Sequence, residues 1–168
     1  MSADIIILLN HNAWANNRLV KLAESLPADE PFYRAFPMGE GSLHATLIHI
    51  AGAMIHWAER LADIEPGEPI ENQQFEINQL QALFDSAHQS LETIVQQLIE
   101  TNRLDETMTH PEAPKPFTRR MAIHHVFTHS GHHRAQALNM LRHTLNTTDL
   151  PDTDVIEYAI FGSNDKGQ

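Results

Sequence analysis

The sequence predicts an all-α protein, a four-helix bundle that forms a single domain over residues 1–168. Four segments repeat apolar residues at helical spacing, and each is long enough to cross a bundle. The segments between them are rich in proline and glycine, which end helices. No segment alternates apolar and polar residues as a half-buried strand does. Two connectors are long, so neighbouring helices need not run antiparallel.

The first two predicted helices each begin after a serine that can serve as the N-cap. The first covers Ala3 to Leu26, with Ser2 as its N-cap and Pro27 at its end. A connector rich in proline and glycine follows. The second helix begins at the N-cap Ser42 and runs to Asp63, with a continuous apolar stripe.

The third and fourth predicted helices are the two longest. The third covers Gln73 to Asn102. The connector Arg103 to Phe117 contains three prolines and is expected to form an extended excursion over the bundle. The fourth helix runs from its N-cap Thr118 to Leu145, and a short terminal helix is predicted over Asp152 to Phe161.

Composition excludes several classes of function. The net charge is −11 with histidine neutral, and no run of lysine and arginine is present, so neither a nucleic-acid partner nor an anionic membrane surface is expected. The chain has no cysteine, which excludes disulfides, thiolate metal sites and cysteine nucleophiles. The apolar run Ile5 to Leu9 is too short for a membrane span and lacks the basic flank of a signal peptide. A cytoplasmic location is therefore expected.

Histidine is concentrated in the fourth helix. Five of the twelve histidines fall within ten residues of it: His124, His125, His129, His132 and His133. His129 and His133 are four residues apart and therefore lie on one face. The residues at similar helical angles are all apolar: Ala122, Val126, Ala137 and Met140. The two imidazoles therefore interrupt a buried stripe, where polar groups need partners.

A metal ion is one partner that suits this pair. His49 in the second helix is the best third ligand, because it lies beside the apolar stripe among small residues. Three imidazoles would leave at least one coordination position open, which is typical of a catalytic site. The alternative is that these are core histidines hydrogen-bonded to carbonyl groups or to each other. The residue pattern alone leaves both interpretations open.

Other side chains near the pair have weaker candidate roles. His132 could act as a proton shuttle, although a solvent-exposed histidine is the simpler interpretation. His125 could be a fourth ligand or a hydrogen-bond donor to a ligand, and Gln136 could orient a ligand imidazole. His56 could line the pocket, and His11 is expected at the bundle edge. The remaining histidines are expected at the surface: His44, His88, His110, His124 and His143.

Several metal and nucleophile motifs are absent from the sequence. Ser130 follows His129, so no H-E-x-x-H motif supplies a glutamate base. No E-x-x-H motif of the di-iron carboxylate bundles occurs either. Neither Ser130 nor Ser42 lies in a nucleophile elbow, which argues against a serine hydrolase.

The chain resembles the DinB/YfiT-like superfamily of metalloenzymes over most of its length. The resemblance is carried by Phe127 to Arg142 (FTHSGHHRAQALNMLR), Ser42 to Leu61 (SLHATLIHIAGAMIHWAERL) and Asn10 to Val20 (NHNAWANNRLV). It implies an up-down-down-up bundle, a homodimer, and a metal held by three histidines. The matching positions here are His49, His129 and His133. One departure is Ala135, where relatives commonly have glycine, and this should affect helix packing rather than the site.

The resemblance implies an enzyme, but it does not determine the reaction. Characterised relatives include transferases that use bacillithiol, mycothiol or glutathione, and a mycothiol-dependent maleylpyruvate isomerase. The first hypothesis is therefore a metal-dependent S-transferase, which uses a low-molecular-weight thiol and takes an electrophilic small-molecule substrate in a pocket lined by helices one, two and four. The alternatives are a hydrolase in which the metal activates water, and a non-catalytic metal-binding module of a stress response. Three histidines suit zinc, nickel, iron and copper, so the metal remains open.

Overall fold

The computed structural model describes residues 2–26 and 30–162, and helices make up most of them. Four long helices form the bundle, and two short ones accompany them. The helices are α1 (Ala3–Glu24), α2 (Glu30–Tyr33), α3 (Leu43–Leu61), α4 (Leu80–Glu100), α5 (Arg119–Leu145) and α6 (Val155–Glu157). The strands β1 (Thr107–Met108) and β2 (Phe117–Thr118) pair antiparallel. Among the described residues, no helix has the length and apolar character needed to cross a membrane.

The four long helices run up, down, down and up, which is the order that the family resemblance implies. The α3 and α5 helices are antiparallel, because His49 meets His129 near their middles while Arg119, at the start of α5, bonds the Leu61 carbonyl oxygen at the end of α3. The α1 and α4 helices are also antiparallel. Gln81 at the start of α4 donates to Asn17 in the second half of α1, whereas Leu104, just after α4, bonds Arg120, which lies near Asp4 at the start of α1. Helices that follow one another in the chain are therefore not always neighbours in the bundle, and the long connectors make this possible.

The core lies between the four long helices. It is built from the apolar stripe of each, and its largest fully buried side chains include Leu19, Leu43, Leu47, Ile50, Met54, Leu61, Leu80, Phe84 and Leu91. Burying a side chain of this size contributes about 1.5–3 kcal/mol relative to leaving it exposed. The apolar stripe predicted for α3 is buried except for Trp57, which is only half-buried; it consists of Leu43, Leu47, Ile50, Met54, Trp57 and Leu61. The exposed part of the Trp57 ring lines a cavity on the surface of α3.

Two of the three predicted N-cap side chains form a capping hydrogen bond. The hydroxyl of Ser42 accepts a hydrogen bond from Ala45 N–H, and that of Thr118 accepts one from Met121 N–H. Ser2 precedes α1, but its side chain makes no capping hydrogen bond. The α1 helix ends at Glu24, and Pro27, which was expected to mark its end, lies outside the described residues.

The predicted third helix begins too early. The segment from Gln73 is not yet α-helical, and α4 starts at Leu80 after two short 3₁₀ turns, Ile70–Asn72 and Ile77–Gln79. This segment folds back along α3, where Phe75 N–H donates to His44. The apolar spacing of the segment is compatible with a helix, but its contacts with α3 hold it in another conformation.

The connector before α5 forms the expected extended excursion, but it also contains the two short strands, which the sequence did not predict. Two residues per strand are too few to show a period-2 pattern. Arg119 anchors the excursion to the end of α3, because it donates to both carboxylate oxygens of Asp63 at 2.7 and 3.0 Å. The predicted terminal helix is found as α6, followed by a π-helical turn, Tyr158–Gly162.

A buried polar network connects all four long helices. Arg134 of α5 is 4% exposed, and its Nη1 donates to the side-chain oxygens of Asn12 and Asn16 on α1, at 2.7 and 2.8 Å. The Asn16 amide nitrogen lies 3.1 Å from Nε2 of His88 on α4 and also contacts Met54 Sδ on α3. The network supplies partners for polar groups that would otherwise be costly to bury.

Candidate metal centre

Three histidines from two antiparallel helices meet beside the core. Each of His49, His129 and His133 offers one ring nitrogen, and these three atoms lie within 4.8 Å of one another. Nε2 of His49 is 3.1 Å from Nε2 of His129. His133 is buried, and the other two are half-buried. These are the three histidines that the sequence analysis selected, and their arrangement is compatible with a metal site.

The environment keeps the two α5 imidazoles neutral. Burial lowers the pKa of His129 to about 4, and the neighbouring His133 and His49 act in the same direction. Burial also lowers the pKa of His133, again with help from His49. A neutral imidazole has an unprotonated nitrogen, and this is the form that ligates metals. Both rings are therefore ready to bind a metal at neutral pH.

The geometry and the donor set fit a divalent cation. Two nitrogens that each bind zinc at about 2.0–2.1 Å in a tetrahedral arrangement lie roughly 3.3 Å apart. The 3.1 Å between the Nε2 atoms of His49 and His129 is close to that value. The Nδ1 atoms of His129 and His133 are buried without a hydrogen-bond partner. Three imidazoles that each offer one nitrogen to a shared space form a donor set that zinc takes in proteins.

Glu71 also lies at the site, although no pattern in the sequence indicates it. Its Oε1 lies 3.1 Å from Nδ1 of His49, on the ring edge opposite the cluster. Glu71 belongs to the first of the 3₁₀ turns that fold back along α3. A contact between residues 22 positions apart, across an irregular connector, leaves no periodic signal in the sequence. The small residues around His49 were expected to leave space, and Gly52 does so for this carboxylate.

The weaker candidates surround the cluster without joining it. The ring of His125 lies 5.5 Å from that of His129, and His125 is not among the converging histidines of the described chain. The His132 ring lies 5.0 Å from that of His133 and is exposed, as a proton shuttle would need to be. Gln136 contacts His132 at 3.1 Å, and its side chain also interacts with His133, where it opposes the lowering of the pKa by burial.

Three of the histidines that were expected at the surface are partly buried instead: His44, His88 and His110. His110 stacks on Trp57, with ring centroids 5.3 Å apart. His88 bonds to Asn16 in the core network, and His44 packs against Phe32 and accepts a hydrogen bond from the connector. These positions depend on how helices and connectors pack together, which helical periodicity does not specify. His11 lies at the bundle edge as expected, where its Nε2 is 2.9 Å from the Thr153 carbonyl oxygen.

A cavity of about 250 Å³ opens beside His49 and His129. His56 lines it, as expected, together with Trp57. The described residues that line it belong to α3, α5 and the segment 67–71. Helix one was predicted to contribute to this pocket, but it does not appear among these lining residues. The connector that carries Glu71 therefore takes the place that was predicted for α1.

The fold and the cluster define a four-helix protein with three histidines placed to hold a metal ion. A comparison with protein families supports and extends this description. The model of the DinB family matches residues 1–155 of the chain, which therefore belongs to the DinB family. A search of curated proteins finds no significant match.

Proposed function

We propose that this DinB protein is a metal-dependent S-transferase that joins a low-molecular-weight thiol to an electrophilic small molecule. The observation that carries the proposal is the cluster of three imidazoles beside a cavity. His49, His129 and His133 would hold the ion, and no fourth histidine or carboxylate joins them in the described chain. Three protein ligands leave a coordination position for a substrate.

A thiol is the substrate that this site suits best. When bound, a divalent ion would lower the pKa of a thiol enough to supply a thiolate nucleophile at neutral pH. The chain has no cysteine, so the sulfur must come from another molecule. The thiolate sulfur would bond to an electrophilic carbon as the leaving group departs. The thiol proton would pass to solvent by way of His132, an exposed histidine whose ring lies 5.0 Å from that of His133.

The cavity is suited to the electrophile. It lies against His49 and His129, and the half-buried Trp57 supplies an aromatic surface in its wall. An apolar or aromatic electrophile would lose water on entering and would approach the thiol from this side.

The test is an assay of purified protein with several low-molecular-weight thiols and a generic aromatic electrophile. We expect thiol-dependent product with zinc- or nickel-loaded wild type, and none after chelation. His129→Ala should lose the activity, whereas His124→Ala should retain it, because that exposed histidine lies on the same helix outside the cluster. Metal-loaded protein without any thiol-dependent rate would contradict the proposal. Ester turnover without added thiol would favour a hydrolase, and metal binding without turnover would favour a binding module.

A further inference from the structure

The Glu71 carboxylate determines which nitrogen of His49 carries the hydrogen. An ionised carboxylate can only accept, so the 3.1 Å contact requires His49 Nδ1–H to donate to Glu71 Oε1. The lone pair of the ring then lies on Nε2, the atom that is 3.1 Å from Nε2 of His129. Glu71 therefore directs the unprotonated nitrogen of His49 towards the cluster.

Gly52 provides the space that the carboxylate occupies. It lies one turn after His49 on α3 and is buried. A Cβ atom at this position would be 2.6 Å from Glu71 Oε1, 2.8 Å from Cδ and 2.9 Å from Oε2. All three distances are shorter than real Cβ contacts allow, so any side chain here would displace the carboxylate. A glycine in the middle of a helix is destabilising relative to alanine, and this contact explains its presence.

We propose that Glu71 is a positioning residue for the metal centre, and that Gly52 keeps its carboxylate in place. This inference rests on the metal site of the proposed function. Carboxylates that accept from the second nitrogen of a ligating imidazole hold its tautomer and ring orientation and raise its basicity as a ligand. Glu71 acts on the metal through His49 and does not itself join the cluster.

A purely structural role for Glu71 predicts a different result. If the carboxylate only tethers its connector to α3, its removal should lower stability and leave the metal affinity of the folded protein unchanged. As a positioning residue, it should affect affinity even when the metal-free variant is folded. Affinity and stability must therefore be measured separately on each variant.

The experiment measures zinc affinity by competition with a chromophoric chelator. Glu71→Ala should weaken binding by about 10- to 100-fold, and Glu71→Gln by less, because the amide oxygen still accepts from Nδ1. Glu65→Ala, which removes an exposed carboxylate from the same connector, is the matched control and should bind as wild type does. Unfolding of the metal-free proteins, followed by circular dichroism, establishes that each variant is folded.

Gly52→Ala tests the same contact without changing the carboxylate. It should weaken zinc binding about as much as Glu71→Ala does, although alanine favours the helix. In the double variant, Gly52→Ala should add nothing further, because the group it displaces is already gone. Fully additive losses would overturn the role given to Gly52.

The outcomes separate this inference from the function on which it rests. Wild type that binds zinc, with Glu71→Ala of equal affinity, would overturn the positioning role and leave the metal site intact. Wild type that binds neither zinc nor nickel would overturn both. A cobalt-substituted protein gives a second readout, because loss of the Glu71 hydrogen bond should shift its visible absorption bands.

Discussion

Acidification should destabilise this protein through His88 on α4. Burial lowers its pKa from 6.5 to about 4, with the positive charge of Arg134 acting in the same direction and Asp85 opposing it. The hydrogen bonds of the core network also require His88 to be neutral. Arg134 can only donate, so the side-chain oxygen of Asn16 faces it, and the Asn16 NH₂ group faces His88 Nε2. That nitrogen must accept, and protonation would break this hydrogen bond.

The size of the effect follows from the two pKa values of His88. The group is protonated more readily in the unfolded chain than in the folded one, so stability is lost as the pH falls below 6.5 and stops falling below about 4. One pKa unit corresponds to about 1.4 kcal/mol, which gives a total loss of about 3 kcal/mol. About 2 kcal/mol of it should be reached near pH 5.

Urea unfolding between about pH 7.5 and about pH 5, with chelator present, measures this loss. His88→Gln removes the titration but keeps an oxygen that can accept from Asn16, so its stability should fall by about 2 kcal/mol less than that of wild type. His143→Gln, an exposed position on α5, should retain the wild-type dependence. Equal acid sensitivity in wild type and His88→Gln would refute the assignment of this loss to the core network.

Two further predictions concern helix ends and their anchors. Ser42→Ala and Thr118→Ala should each lower the free energy of unfolding by about 1 kcal/mol, whereas Ser2→Ala, which loses no capping bond, should not. Equal losses in all three urea titrations would contradict this. Arg119→Met should cost about 2 kcal/mol at neutral pH, because it removes a buried donor to the α3 carbonyl end and its hydrogen bonds to Asp63. The hydrogen bonds from Arg119 hold the pKa of Asp63 below its usual value, so the part of the stability that comes from Asp63 should be lost as the pH falls through that lowered pKa. An effect of Arg119→Met that does not change with pH would contradict this.

The helices and the three-histidine cluster could be predicted because both depend on local periodicity. A spacing of four residues places His129 and His133 on one face, and the apolar residues in register with them indicate that the face is buried. His49 could be selected from its own helix for the same reason. Glu71 could not, because its approach to His49 depends on the path of an irregular connector. The start of the third helix was also predicted wrongly, because residues 73–79 contact α3 and these contacts outweigh their helical spacing.

The core network and the candidate site are connected through the rotation of α5. Arg134 directly follows His133, and consecutive side chains of a helix point about 100° apart. Arg134 is directed towards α1 by its hydrogen bonds to Asn12 and Asn16, and this rotation turns His133 towards His49 on α3. His129, one turn earlier, is turned the same way. The asparagines of α1 therefore bind the side of α5 that carries Arg134, while the two α5 histidines face α3.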